Sequence, residues 1–330
     1  MSPPPLRILI IGCGNMAGGF DAGRPADAPP LTHAGAFARH GGFSLLACVD
    51  PDEIRRDEFA ARWNVPRNAA SVADLNARRG DFDIISICSP TALHPEHLAA
   101  ALELEPRLIF CEKPVTPGLA QTEAWVQACE DKGILLAINH TRRWAPDVRR
   151  LADELAGNAW GRIRSVVGHY NKGILNNGGH MIDLLHLLLG RLELVQTGQP
   201  SWDFWDTDPT VPAMLRAGDV PVSLNVAHAA DYAHFELQLI TEKGIVTMED
   251  GGMNWRVRHA IASPHFKGYH ALNEGTRTAG QYPQAMLAAA TNLHAAVTNG
   301  DALASDGRSA LAAQHICEQI RLSAIGSAST

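Results

Sequence analysis

In the first half of the chain, apolar residues come in short unbroken runs separated by helix-length mixed segments. The runs are Leu6–Ile11, Phe43–Val49, 83–88, 107–111 and 134–139. A short, continuous, β-branched run bounded by turn formers predicts a strand buried on both faces. Between the runs lie helical stretches at 32–39, 94–104 and 121–131. Strands alternating with helices predict a parallel, doubly wound sheet.

After Trp144 the pattern changes. Helices are expected at 146–156 and, through an aliphatic run ending at Gly190, at 179–190. Strand patterns at 162–170, 222–229, 233–240, 245–249 and 254–260 then follow, the last four in close succession with short turns. Phe235, Leu237 and Leu239 alternate with His234, Glu236 and Gln238, which predicts one buried and one polar face. The expected fold is α/β: residues 1–141 form a Rossmann-type parallel sheet, and residues 142–330 an α+β domain with a large, mostly antiparallel open sheet. Two helices near 283–300 and 305–325 close the chain.

Composition narrows the class. The chain has 330 residues, 46% of them hydrophobic and 19% charged, which is globular and leaves room for two cores. A formal net charge of −7 argues against a nucleic-acid partner. Pro3-Pro4-Pro5 and a short strand are too brief for a signal core or membrane span. The six cysteines show no Cys-x-x-Cys spacing and suit a reducing, cytoplasmic setting.

The first strand runs straight into Gly12-Cys13-Gly14-Asn15-Met16-Ala17, a G-x-G-x-x-A turn that lets backbone amides approach a pyrophosphate. Asp50 ends the second strand, where an acid bonds a ribose hydroxyl and favours NAD. Arg55 and Arg56 offer a 2′-phosphate contact instead, so NADP stays open, and Asp50 is otherwise a turn residue before Pro51. It follows Gly14 by far more than the roughly 20 residues expected, and residues 18–32 read as an inserted loop or lid. Ser89, Pro90, Thr91 and His94 follow the next strand and are expected against the cofactor. His94 also reads as a helix-start residue bonded to backbone. The strand at 107–111 delivers Glu112, Lys113 and Pro114 at the edge where ligands collect in such sheets. A lysine there is either an acid/base group tuned by desolvation or an ordinary surface cation.

In the second half His180 opens the aliphatic helix and Asp183 lies three residues on, on the same face. The pair is either an imidazole set by a carboxylate or a structural cap. No metal site is expected, because His186 lies on another side of the helix.

The ordered set Gly12–Ala17, Cys48-Val49-Asp50, Ser89-Pro90-Thr91-Ala92-Leu93-His94-Pro95-Glu96 and Glu112-Lys113-Pro114 resembles the Gfo/Idh/MocA family of NAD(P)-dependent oxidoreductases, and Asn139–Trp144 resembles that family's exit from its nucleotide domain. The resemblance implies a Rossmann domain that binds NAD or NADP through Gly12, Gly14, Asn15, Met16, Ala17, Asp50, Ser89, Pro90, Thr91, His94, Glu112 and Lys113. It implies Lys113 and His180 as acid/base groups on a sugar-like, cyclitol or sugar-nucleotide substrate. Arg143, Tyr170, Asn171, Lys172, Asn176, Asn177 and Asp183 are the expected substrate holders. Many relatives carry an aspartate where this chain has Asn176, and an amide cannot accept a proton as a carboxylate does. The family's open sheet implies a homodimer or homotetramer. Alternatives are transient use of tightly held NAD, as in oxidative glycosidases or epimerase-like members, and a non-catalytic nucleotide-binding protein.

Overall fold

The protein is described by a computed structural model covering residues 4–328, so Pro3 of the proline run lies outside the described residues. The chain divides into two compact units, residues 1–145 with 283–311, and residues 146–282 with 312–330.

The first unit holds β1 (Leu6–Ile11), α1 (His33–His40), β2 (Phe43–Val49), α2 (Glu53–Trp63), β3 (Arg67–Ala69), β4 (Ile84–Ile87), α3 (His94–Glu103), β5 (Leu108–Cys111), α4 (Leu119–Asp131) and β6 (Leu135–Ile138). All six strands are parallel in the order β3-β2-β1-β4-β5-β6. That is the doubly wound order, whose direction reverses between β1 and β4. Ile8, Leu9 and Ile10 are fully buried because helices cover both faces. Each such side chain contributes about 1.5–3 kcal/mol relative to exposure, which explains the unbroken apolar runs.

The cut expected at 141/142 needs a correction. Residues 283–311 count with the first unit, because Met286, Ala289, Ala290, Leu293 and Val297 pack into the same core as Ile8, Phe37 and Phe110. A helix so rich in alanine carries no mark of which sheet it will cover.

The second unit holds α5 (Pro146–Ala156), β7 (Ile163–Tyr170), α6 (Gly178–Leu189), β8 (Glu193–Thr197), β9 (Ser201–Trp205), β10 (Asp208–Thr210), β11 (Ala213–Ala217), β12 (Val220–Val226), β13 (Phe235–Thr241), β14 (Gly244–Glu249), β15 (Asn254–Ala262), β16 (His270–Leu272) and β17 (Thr276–Ala279). Its nine-stranded sheet runs β16-β15-β14-β13-β7-β12-β11-β8, with β17 beside β15. Only β7 and β12 pair in parallel. Along β13, Phe235, Leu237 and Leu239 are buried and Glu236 and Gln238 are half-exposed. Most of the stretch 275–280 is strand β17. Helix α7 (Ala285–Asn299) belongs to the first unit, and α8 (Gly307–Ala328) ends the described chain.

Candidate active site

The glycine turn sits at the carboxyl end of β1, on the switch point. Gly12 adopts φ +87°, and a Cβ there would meet the Ser89 backbone nitrogen at 2.7 Å, so only glycine lets the turns after β1 and β4 touch. At Gly14 a Cβ would find no heavy atom within 4 Å, so the turn opens on free space on that side. A pyrophosphate therefore fits the cradle. Cys13, Gly14 and Asn15 also line a cleft of about 190 Å³ with Arg55, Phe59, Arg62 and Trp63 of α2.

In the general dinucleotide-binding pattern a helix follows the glycines directly, whereas here residues 18–32 intervene, as their composition predicts. α1 begins only at His33, capped by the Thr32 hydroxyl, which accepts from Gly35 N at 3.1 Å. Yet His33 N donates to Met16 O at 3.1 Å and Ala34 N to Ala17 O at 2.9 Å. The Gly14–Ala17 turn thus continues directly into α1 in space, and residues 18–32 loop out from the junction. Without them Asp50 would follow Gly14 by roughly the 20 residues of the general pattern. The loop is fastened: the Asp21 carboxylate accepts from Leu31 N (3.0 Å), Thr32 N (3.1 Å) and Thr32 Oγ1 (2.6 Å). That anchoring argues against a freely moving lid.

Asp50 is 4% exposed. Its Oδ2 accepts from Cys13 N at 2.8 Å, and its Oδ1 from Asp52 N at 2.9 Å and from Arg55 Nη1 at 3.4 Å. The carboxylate therefore braces the glycine turn against the start of α2. A carboxylate offers about four lone-pair directions, so room remains for one hydroxyl. Arg56 donates to Asp50 O (2.9 Å) and Asn68 Oδ1 (3.2 Å) and serves the strand end. Arg55, half-exposed in the cleft, remains the arginine placed for a phosphate.

Lys113 leaves the carboxyl end of β5 half-buried, and its peptide bond to Pro114 is cis. The residues behind it are polar and enclosed. His33 is fully buried, with Nδ1 2.7 Å from Ser86 Oγ on β4 and Nε2 2.9 Å from Glu112 Oε1. Asn139, after β6, donates to the same Oε1 at 2.7 Å. The His33 ring stacks on Phe110 at 4.2 Å. Burial opposes charge on this ring, but Cys88 and then Glu112 outweigh it and push its pKa up to about 10. Burial likewise opposes the Glu112 charge, and the His33 bond overcomes it and holds the carboxyl below its usual range. Neither His33 nor Ser86 was legible in the sequence. A polar residue opening an apolar helix was the faint available mark.

His94 was expected beside the cofactor. It is 1% exposed instead, with Nδ1 2.9 Å from Pro114 O and Nε2 2.9 Å from Ser89 O. It ties the Ser89-Pro90-Thr91 turn to the Glu112-Lys113-Pro114 turn and has no ring nitrogen left to meet a ligand. Ser89 Oγ lies 2.7 Å from Nδ1 of His97, whose pKa burial pushes down. Arg143 is 8% exposed and donates to Ala304 O at 3.3 Å within the first unit.

In the second unit two expected substrate holders are corrected. Tyr170 is fully buried, donating to Val211 O at 2.6 Å and accepting from Val211 N at 3.0 Å. Asn171 is also fully buried, donating to Tyr232 O at 2.6 Å and accepting from His234 N at 3.2 Å. Both residues hold backbone, because their side chains point inward from the end of β7. Lys172 is half-buried with φ +65°, and its Nζ lies 5.4 Å above the Phe204 ring. Between β7 and α6 the chain forms a π-helical turn, Gly173–Asn177. Asp208 builds it, accepting from Leu175 N (2.8 Å) and Asn176 N (2.9 Å). Asn176 Nδ2 donates to Lys172 O at 3.0 Å, so this amide shapes the turn. Asn177 and His180 are half-buried and Asp183 is 1% exposed, three residues beyond His180 on α6. Among the described residues no cluster of three His, Cys, Asp or Glu is placed to hold a metal ion, and no helix is long and apolar enough to cross a membrane.

Comparison with known proteins gives a consistent picture. Residues 6–140 match the Gfo/Idh/MocA model, an oxidoreductase family with an NAD-binding Rossmann fold. A protein proposed as the oxidoreductase subunit of a UDP-kanosamine synthase in Amycolatopsis mediterranei is 33% identical over 50% of this chain and 50% of its own. The D-glucoside 3-dehydrogenase of Escherichia coli is 26% identical over 57% of this chain and 53% of its own. The chain spans about half the length of these two curated relatives. Across nearly the whole chain, the fold matches a Bordetella pertussis dehydrogenase solved with NADH and UDP-GlcNAcA. The TM-score is 0.74 at 18% identity, covering 97% of this chain and 96% of that one.

Proposed function

Because residues 6–140 match the model of the Gfo/Idh/MocA oxidoreductase family, with its NAD-binding Rossmann fold, we propose that this protein is an NAD(P)-dependent dehydrogenase or reductase acting on a carbinol or carbonyl carbon of a sugar-like, cyclitol or sugar-nucleotide substrate. The observation that carries the reading is Lys113 at the carboxyl end of β5, on the same edge of the parallel sheet as the glycine turn after β1. The sugar chemistry in the names of its relatives supports the substrate class.

Gly12, Gly14, Asn15, Met16 and Ala17 present the phosphate cradle, and Asp50 accepts a ribose hydroxyl. When bound, the pyridine nucleotide takes or gives the hydride. Oxidising a carbinol also releases its hydroxyl proton, which Lys113 or His180 accepts and returns in the reverse direction. As an ammonium, Lys113 also steadies the alkoxide that develops on that oxygen. Lys172, Asn177 and Asp183 are the remaining substrate-side candidates, and Asn176 acts through the turn that it closes. The half-exposed face of the nine-stranded sheet suits self-association as a homodimer or homotetramer, which light scattering reads directly.

The test is cofactor reduction with a panel of sugars, sugar acids, cyclitols and nucleotide sugars, followed by Lys113→Met on the best substrate. Loss of about 10²- to 10⁴-fold in turnover with nucleotide binding retained is expected. Undiminished turnover in that variant removes the assignment.

A further inference from the structure

Glu112, the neighbour of Lys113 in the chain, belongs to an enclosed polar group. Four elements contribute: His33 from the start of α1, Ser86 from β4, Glu112 from the end of β5 and Asn139 from the end of β6. Glu112 Oε1 receives two donors, His33 Nε2 at 2.9 Å and Asn139 Nδ2 at 2.7 Å. Asn139 is oriented in turn by Thr141, whose hydroxyl donates to its Oδ1 at 2.9 Å. The ring's other nitrogen meets Ser86 Oγ at 2.7 Å. The titratable groups facing the imidazole are the Cys88 thiol of the β4 end and the Glu112 carboxylate; Ser86 and Asn139 are neutral, and Phe110 and Phe37 supply apolar walls. The backbone of His33 is itself bonded to the glycine turn through Met16 O at 3.1 Å.

Glu112 directly precedes Lys113 and feels its charge. A carboxylate without another counter-ion would hold the lysine protonated, which suits an ion pair and disfavours a proton acceptor near neutral pH. We propose that His33 is a positioning residue for Lys113: as an imidazolium it holds the Glu112 carboxylate in place and supplies the opposing charge that the lysine would otherwise provide. Through its backbone amide and its ring, His33 also links the glycine turn to Glu112. Charge-assisted bonds inside a low-dielectric core make such an arrangement stiff. The functional consequence rests on Lys113 being the acid/base group, but the electrostatic coupling does not.

The experiment therefore reads Lys113 directly and without turnover. The chain has five lysines, at 113, 132, 172, 243 and 267. Lysine labelled with ¹³C at Cε gives one signal for each, and Lys113→Met identifies the signal of interest. In full-length His33→Gln, which keeps a hydrogen-bonding side chain and removes the positive charge, the Lys113 titration midpoint is expected to rise by about half a unit or more. In Glu112→Gln, which removes the negative charge, it is expected to fall. The second variant decides the matter if the first does not fold. A Lys113 midpoint that stays at its wild-type value in the folded variants overturns the proposal. A shifted midpoint in a protein that reduces no cofactor with any substrate would leave the coupling standing while the dehydrogenase reading fails.

Discussion

Replacing Asp50 by alanine tests the bracing seen in the structure together with the ribose contact proposed for this carboxylate. In the structure it accepts from the buried amide of Cys13 at 2.8 Å and from Asp52 N at 2.9 Å, with Arg55 more distant at 3.4 Å. Bonds to a charged acceptor contribute about 1.5–3 kcal/mol each, and a buried donor left without an acceptor costs about 1–3 kcal/mol. The Cys13 bond deserves the full figure. The Asp52 bond lies at an exposed helix start and is discounted, and Arg55, half in solvent, adds little. The expected loss for Asp50→Ala is therefore about 2–4 kcal/mol, read from urea unfolding by tryptophan fluorescence, with Trp63 and Trp144 reporting on the first unit. Calorimetric titration with NAD is expected to show a parallel weakening of about 10- to 100-fold, because on the proposed reading the glycine turn and the ribose share this acceptor. A stability change below about 0.5 kcal/mol beside a large affinity loss would refute the bracing argument and leave Asp50 as a ribose ligand alone.

Three further outcomes follow from the geometry. The folded-state pKa of His33 is raised from 6.5 to about 10, so its contribution to stability is full below 6.5 and is lost as pH climbs towards 10. Glu112 is lowered from 4.5, so its contribution is present above 4.5 and is lost in acid. The stability gap between wild type and His33→Gln should therefore be widest between pH 4.5 and 6.5 and shrink on the alkaline side; a gap independent of pH across denaturation curves would contradict this. Asp21→Ala removes the acceptor for Leu31 N, Thr32 N and Thr32 Oγ1. Hydrogen exchange in residues 18–32 should accelerate about tenfold or more, and unchanged protection would mean that the loop is held by something else. Asp147→Ala strands the Trp255 indole (2.7 Å) and Gln281 N (2.6 Å) in the second unit, at an expected cost of about 2–3 kcal/mol. A thermal midpoint equal to wild type would count against it.

Much of the fold was legible because its signals are local. Leu6–Ile11, Phe43–Val49 and the run that became β5 carry buried-strand composition regardless of what surrounds them. α5 occupies Pro146–Ala156, the stretch its pattern predicts. The glycine turn and Glu112-Lys113-Pro114 were legible for the same reason, since a tight backbone approach demands glycine whatever its partner. The site residues that read differently were inward-facing polar ones. Tyr170, Asn171 and His94 carry side chains that bind ligands or hold backbone equally well, and only their burial tells which.

The sequence alone determined the two kinds of sheet, the glycine turn after β1 and the strand end that carries Lys113, because each depends on residues adjacent in the chain. The tertiary structure decided what lies behind the lysine. His33 and Glu112 are 79 positions apart and His33 and Ser86 are 53 apart, and no local pattern records a contact made by folding four elements around one ring. It also decided that 283–311 closes the first core and that residues 18–32 leave a helix at its first turn, since both follow from which surfaces meet.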